Sequence, residues 1–147
     1  MKIMSVDYGD VRTGIASCDK TEFLASPVCM IEERNPQKCA ERVAFKAEEL
    51  RAEEIVIGLP KNMDGSEGFR ADACKEFAEM VKDLTAIPVK MWDERRTTIT
   101  AHNILNETNT RGKKRKAVVD QVAAVIILEG YMEYRKNMKA REQDNEN

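Results

Sequence analysis

Met4–Ser17 reads MSVDYGDVRTGIAS, an apolar run that stops on a carboxylate, turns on a glycine and resumes apolar at once. Lys2–Asp7 has the composition of a strand, and Gly9 supplies a turn. Thr13–Ser17 reads as a second strand, joined to the first closely enough for an antiparallel hairpin. An aspartate at a strand end stands on the edge of a sheet, where it costs little unless another charge comes close. A metal ion or other carboxylates are the candidates, and the rest of the chain must decide between them.

Moving outward, Leu24–Ile31 is a third strand, and Gln37–Arg51 places Cys39, Val43, Ala47 and Leu50 at helical spacing. Ile55–Gly58 is a buried-type strand stopped by Pro60, and the turn formers KNMDGSEG follow it. A helix then carries Cys74, Phe77, Val81 and Leu84 on one stripe. IPVKMW is another strand, Thr98–Glu107 a helix, and Ala117 to about Arg135 a final helix preceded by the basic run RGKKRK. Leading strands joined by a tight turn pair antiparallel, whereas strands alternating with helices pair parallel through crossovers. The expectation is an α/β domain, a mixed five-stranded sheet flanked by helices, over residues 1–137, with a polar, disordered tail at 138–147.

The bulk numbers narrow the class. A chain of 147 residues with 42% apolar and 34% charged residues suits one globular domain. It has neither a long apolar segment nor a signal-peptide pattern, which points to a cytoplasmic protein with no membrane partner. The four cysteines lie far apart without a C-x-x-C pair, and read as reduced core thiols. A net charge of −2 advertises no polyanionic partner globally, so any such signal has to be local. With His102 the single histidine, a two-histidine zinc motif is impossible. Any metal here would have carboxylate ligands, which suit Mg²⁺ or Mn²⁺.

Four segments, VDYGDVRTGIA, VIGLPKNMDGSEG, PVKMWDERRTT and VVDQVAAVIILEGYM, together resemble the YqgF family, also called RuvX, in its order and spacing. That family belongs to the RNase H-like nucleases and is related to the RuvC junction resolvases. The resemblance implies an RNase H-like fold with sheet order 3-2-1-4-5. It also implies a nuclease using one or two Mg²⁺ or Mn²⁺ ions, linked to 5′-end maturation of pre-16S rRNA. An older proposal for such proteins is cleavage of four-way DNA junctions. The family's acidic positions fall on Asp7, Glu94 and Asp120, as catalytic residues and metal ligands. Arg96 stands where the family more often carries an apolar residue, and Asp10 and Val11 occupy a turn where lysine is common.

The residues can also be weighed by themselves. Phosphodiester hydrolysis needs a neutralised phosphate, an activated water and a stabilised leaving oxygen, which two divalent ions about 4 Å apart can supply. Asp7 at a strand end would be a rigid anchor for them, although such aspartates often only start turns. Asp93 and Glu94 are neighbours that point in opposite directions if extended, and the family match selects Glu94. Asp120 lies among apolar residues, where an unpaired carboxylate is expensive, but an acid in a first helical turn is also favoured by the helix dipole.

The basic run Arg111, Lys113, Lys114, Arg115 and Lys116 precedes Asp120, and would give salt-sensitive, sequence-independent contact with phosphates. Arg12, Arg95 and Arg96 are further candidates to hold phosphate, with surface ion pairs as their ordinary alternative. Trp92 and Tyr8 could stack on a base, although core packing suits Trp92 better. Lys61 and Arg70 could assist anion binding near a helix start at Ser66 or Gly68.

The favoured reading is a metal-dependent nuclease acting on structured nucleic acid, as a monomer or weak homodimer. The alternatives are a junction resolvase on four-way DNA, a non-catalytic nucleic-acid-binding module indifferent to Asp7→Asn, and an actin-like ATPase. The last needs a duplicated body longer than this chain.

Overall fold

The computed structural model describes residues 1–61, 64–94 and 113–145, of which 113–121 and 143–145 by their backbone alone. Strands β1 (Ile3–Asp7), β2 (Arg12–Cys18), β3 (Ala25–Glu32), β4 (Glu54–Leu59) and β5 (Val89–Asp93) form one sheet in the order β3-β2-β1-β4-β5. β1 pairs antiparallel with β2 and parallel with β4, and β4 parallel with β5. This is the mixed five-stranded arrangement that the order of elements predicts. Helices α1 (Pro36–Glu49) and α2 (Phe69–Leu84) supply the two crossovers, and α3 (Lys113–Asn145) follows β5.

Alternation along the strands sorts the core into two layers. Met4, Val6, Ile15, Ile55 and Ile57 pack with Cys39, Val43 and Ala47 of α1 and with Phe77 and Val81 of α2. Ile3, Ala16, Val56 and Trp92 pack on the opposite side with Ala124, Ile127, Leu128 and Tyr131 of α3. β1 and β4 lie in the middle of the sheet with helices over both faces, which is why nearly every residue in them is buried. The start of α1 is set locally. The Asn35 side chain accepts from the Lys38 backbone N–H at 3.0 Å, and Pro36 enters the first turn, where its missing N–H costs nothing.

Two contacts fix how α3 lies on the sheet. Ser5 Oγ donates to the Ala124 carbonyl at 2.7 Å. The Tyr131 hydroxyl donates to the carboxylate of Glu54, the residue paired with Ile3 across β1 and β4. As β1 advances from Ile3 to Ser5, the contacts on α3 therefore retreat from Tyr131 to Ala124. The helix runs antiparallel to β1, with its N-terminal end toward Asp7.

α3 corrects the expected boundaries. Its helical backbone begins at Lys113, inside the basic run, rather than at Ala117. It also continues to Asn145, through most of the tail at 138–147 that was expected to be disordered. Residues 136–142 are all exposed, so no apolar burial holds them, although Lys139 Nζ donates to Glu22 Oε2 at 3.3 Å. Once the packed turns around Ile127 and Tyr131 have nucleated a helix, each added residue costs little, and Lys, Met, Ala, Arg and Glu are good helix formers. The helix expected at Thr98–Glu107 lies outside the described residues.

Glu54 and Tyr131 are both at least nine-tenths buried, and besides the neutral Tyr131 donor Glu54 has Lys90 Nζ at 4.0 Å. Tyr131→Phe should therefore lower the unfolding free energy by about 1–3 kcal/mol, the cost of leaving a buried acceptor short of its donor. Urea denaturation checks this, and an unchanged midpoint would show that the bond contributes nothing.

Candidate active site

Parallel strands deliver their carboxyl ends to one edge of a sheet, where ligands of open α/β folds bind. Asp7 closes β1 there, and Glu94 follows the end of β5. Both line a cavity of about 220 Å³ together with Tyr8, Gly58, Pro60, Arg70 and Cys74. Of the three acids that the sequence singles out, the structure thus brings Asp7 and Glu94 to one place. Asp120 lies on α3 at a position described by backbone only.

Gly58 makes the meeting of these two acids possible. A Cβ built on it would stand 2.6 Å from Glu94 Oε1 and 2.6 Å from Ile127 Cδ1. The Glu94 carboxylate therefore lies folded over bare backbone of β4, in space that a side chain would fill. Gly9 serves the neighbouring turn, because a Cβ there would strike the Arg12 carbonyl oxygen. The Gly9 N–H donates to Thr13 Oγ1 at 3.3 Å, which ties the β1–β2 turn to β2.

The electrostatics of the cavity are those of crowded acids. Burial raises the pKa of Glu94, the Arg70 cation opposes the rise, and the charge of Asp93 adds to it. Burial pushes the Cys74 thiol up to about 11 against the pull of Arg70, and Glu94, Asp7 and Asp10 add to the rise. A thiol held in its protonated form is no nucleophile, so Cys74 is a wall of the site. Cys18 and Cys39 are buried free thiols too, as the core-filler reading expects.

A divalent cation fits this donor set. Among the described residues the cavity offers carboxylate oxygens and no histidine, and a buried carboxylate whose charged form is disfavoured gains from a cation beside it. Among the described residues no three His, Cys, Asp or Glu side chains are grouped closely enough to hold a metal. A cation on Asp7 and Glu94 would thus complete its shell from outside that set.

The candidate phosphate-holding residues fare differently. Arg12 lies on β2 beside Glu32, with Nε to Oε1 at 3.5 Å, and is not among the residues lining the cavity. Its Nη1 is buried and has no hydrogen-bond partner among the described residues, so it offers a phosphate less than an exposed arginine would. Arg95, Arg96 and Arg111 lie outside the described residues. Lys113, Lys114, Arg115 and Lys116 form the first turn of α3 by their backbone. Tyr8 is not a free base-stacking ring: it lies stacked on Phe77, with centroids 4.0 Å apart, and is 8% exposed. Trp92 packs against Tyr131 and Gly130, which is the core role its composition suggests. The glycines of GLPKNMDGSEG suit close approach to backbone, and at Gly58 the group that approaches is the Glu94 carboxylate. What the sequence does not tell is that Glu94, 36 residues further on, is the partner.

A family model described as RuvX, Holliday junction resolvase, matches residues 1–134. The chain belongs to the RuvX family. A relative from Halothermothrix orenii is 41% identical over 138 residues, covering 94% of this chain and 99% of its own length. One from Clostridium acetobutylicum is 39% identical over 132 residues, covering 90% of this chain and 98% of its own. Both carry the name "Putative pre-16S rRNA nuclease". Among solved structures, Thermus thermophilus RuvC in complex with a Holliday junction substrate superposes with a TM-score of 0.59 at 11% identity, covering 91% of this chain and 96% of that one. The fowlpox virus resolvase in complex with Holliday junction DNA gives 0.53 at 14% identity, covering 91% of this chain and 98% of that one. At such identities the likeness speaks for the fold, and the RuvX chain has the RNase H-like fold that its motifs imply.

The Gly58 contact predicts that Gly58→Ala displaces Glu94 and weakens Mn²⁺ binding by about tenfold or more, measured calorimetrically, while the circular dichroism spectrum stays that of a folded chain. Glu94 also predicts a pH dependence. Its folded-state pKa is raised, so the folded chain holds the proton more tightly than the unfolded one. The stability Glu94 contributes to the metal-free protein is therefore present below its unfolded pKa and lost as pH rises through the folded value. Relative to wild type, Glu94→Gln should gain stability as pH rises from about 4, in urea titrations made in chelator. A difference that does not change with pH would refute the shift.

Proposed function

We propose that this RuvX-family chain is a divalent-metal-dependent nuclease that hydrolyses phosphodiester bonds in structured nucleic acid. The substrate favoured is the small-subunit ribosomal RNA precursor, cut during maturation of its 5′ end in the cytoplasm. The observation that carries the reading is the shared cavity of Asp7 and Glu94 at the carboxyl edge of the parallel strands.

The register of α3 supports adding Asp120 to them. Ser5 meets Ala124, and Asp7 lies two residues further along β1, about 6.6 Å on. Asp120 lies four residues back along α3, about 6 Å in the same direction because the helix runs antiparallel to β1. Ala124, Ile127, Leu128 and Tyr131 form the stripe of α3 that packs on the sheet. In this reading Asp7, Glu94 and Asp120 hold one or two Mg²⁺ or Mn²⁺ ions.

A divalent ion bound there supplies Lewis acidity, neutralising phosphate charge and making a water more acidic. The protein's own part is to hold the ligands rigidly and to keep Glu94 against bare backbone, where it cannot swing away. The first turn of α3, with Lys113, Lys114, Arg115 and Lys116, would hold the nucleic-acid backbone near the acids. Arg12, Arg95, Arg96 and Arg111 would extend that contact. The relatives' shared name favours ribosomal RNA precursor as substrate. The family model's description favours a second reading, cleavage of four-way DNA junctions, which needs two sites presented together by a homodimer.

Asp7→Asn, Glu94→Gln and Asp120→Asn should each reduce Mn²⁺-dependent cleavage by at least about a hundredfold while the chain remains folded. Ribosomal RNA precursor and a four-way junction, offered side by side to the wild type, separate the two substrates. Full cleavage by Asp7→Asn would remove the catalytic reading and leave a binding module.

A further inference from the structure

Arg70 is the cation among the described residues that line the acidic cavity, and it is held on two unlike sides. Nη2 donates to the Tyr8 carbonyl, and the guanidinium carbon stands 5.7 Å from the centre of the Tyr8 ring. That ring is itself fixed by its stack on Phe77, so this side of Arg70 has a rigid floor. On the other side, Nη1 donates to Asp10 Oδ1 at 2.8 Å. The Asp10 side chain is 85% exposed, on the turn between β1 and β2, whereas the Arg70 side chain is 42% exposed.

An ion pair with so exposed a partner contributes little, and carboxylate and phosphate oxygens accept from a guanidinium in the same way. We propose that Asp10 stands in for a substrate phosphate on Arg70, and that the phosphate flanking the scissile bond displaces it. This rests on the nuclease reading and adds a phosphate-binding residue to it. Arg70 keeps its orientation during the exchange because the Tyr8 carbonyl and ring remain in place. A cation so fixed beside Asp7 and Glu94 draws in a polyanion that the two acids alone would repel.

The ordinary alternative is a latch, in which Asp10 and Arg70 merely fasten the start of α2 to the β1–β2 turn. The two roles differ in sign. Removing the charge of Asp10 loosens a latch, but frees Arg70 for phosphate.

Binding of a fluorescein-labelled RNA stem-loop with single-stranded flanks, and of a labelled four-way DNA junction, tests this by anisotropy in calcium buffer. Asp10→Asn should tighten binding of the better probe by about two- to fivefold. Arg70→Ala should weaken it by about tenfold and lower the slope of log K against log salt by about one. In an Arg70→Ala background the gain from Asp10→Asn should vanish, which separates displacement from a general loss of negative charge. Arg70→Lys, which keeps the charge without the fork, should fall between wild type and Arg70→Ala, and serves should the alanine variant not fold.

Unchanged or weaker binding by Asp10→Asn, a gain that persists without Arg70, or no binding of either probe by the wild type overturns the proposal. Cleavage in Mn²⁺ reports separately on the nuclease reading. A wild type that binds but never cleaves defeats that reading and leaves Arg70 as a phosphate contact. A wild type that cleaves while Asp10→Asn binds no tighter defeats only the exchange.

Discussion

Two carboxylates line one small, partly closed cavity, and the protein has to keep them there against the cost of burying charge. Neither Asp7 nor Glu94 can retreat easily. Asp7 ends a strand with neighbours on both sides, and Glu94 lies over the bare backbone of Gly58 with Ile127 close by. Burial raises the pKa of Glu94, so the folded chain carries a group whose charged form is disfavoured until a cation arrives. A cation bound beside it would relieve that cost.

The sheet does the building. Parallel pairing of β1, β4 and β5 sends Asp7, Gly58 and Glu94 to the same edge, although they are remote in the chain. α3 then lies antiparallel to β1, pinned by Ser5 to Ala124 and by Tyr131 to Glu54. Both pins are polar bonds inside an apolar layer. An apolar stripe could slide by a turn along the sheet with small loss, but a buried hydroxyl or carboxylate left without its partner could not. The two bonds set the register of the helix that carries Asp120.

Much of this was legible in the chain, because periodicity and turn chemistry are local. The hairpin at Gly9, the alternation of strands and helices and the strand-end position of Asp7 all follow from neighbours in sequence. What was not legible depended on residues far apart. Glu94 reaches across β4, and Gly58 looks like an ordinary strand glycine until Glu94 is folded over it. Arg70 and Asp10 are 60 residues apart and meet only through the crossover from β4 to α2. Tyr8 resembles a free aromatic beside the site, but its ring is committed to Phe77. The tail of α3 was misread for a different reason. Its polarity reports that it cannot pack, and a helix already started elsewhere does not need it to.

The charges of the site are arranged by exposure as well as by sign. Glu94 and Cys74 lie inward and feel burial most, Arg70 is partly open, and Asp10 is nearly all in water. Coulombic attraction between fixed charges weakens steeply as solvent enters, so the interactions that hold the site together are the inner ones. The outer pair, between Arg70 and Asp10, is the one that an incoming anion can exchange without disturbing the acids beneath it. A polyanion approaching the cavity therefore meets a replaceable carboxylate before it meets the fixed ones. That ordering would let one edge of a sheet attract a phosphate while holding carboxylates suited to a cation.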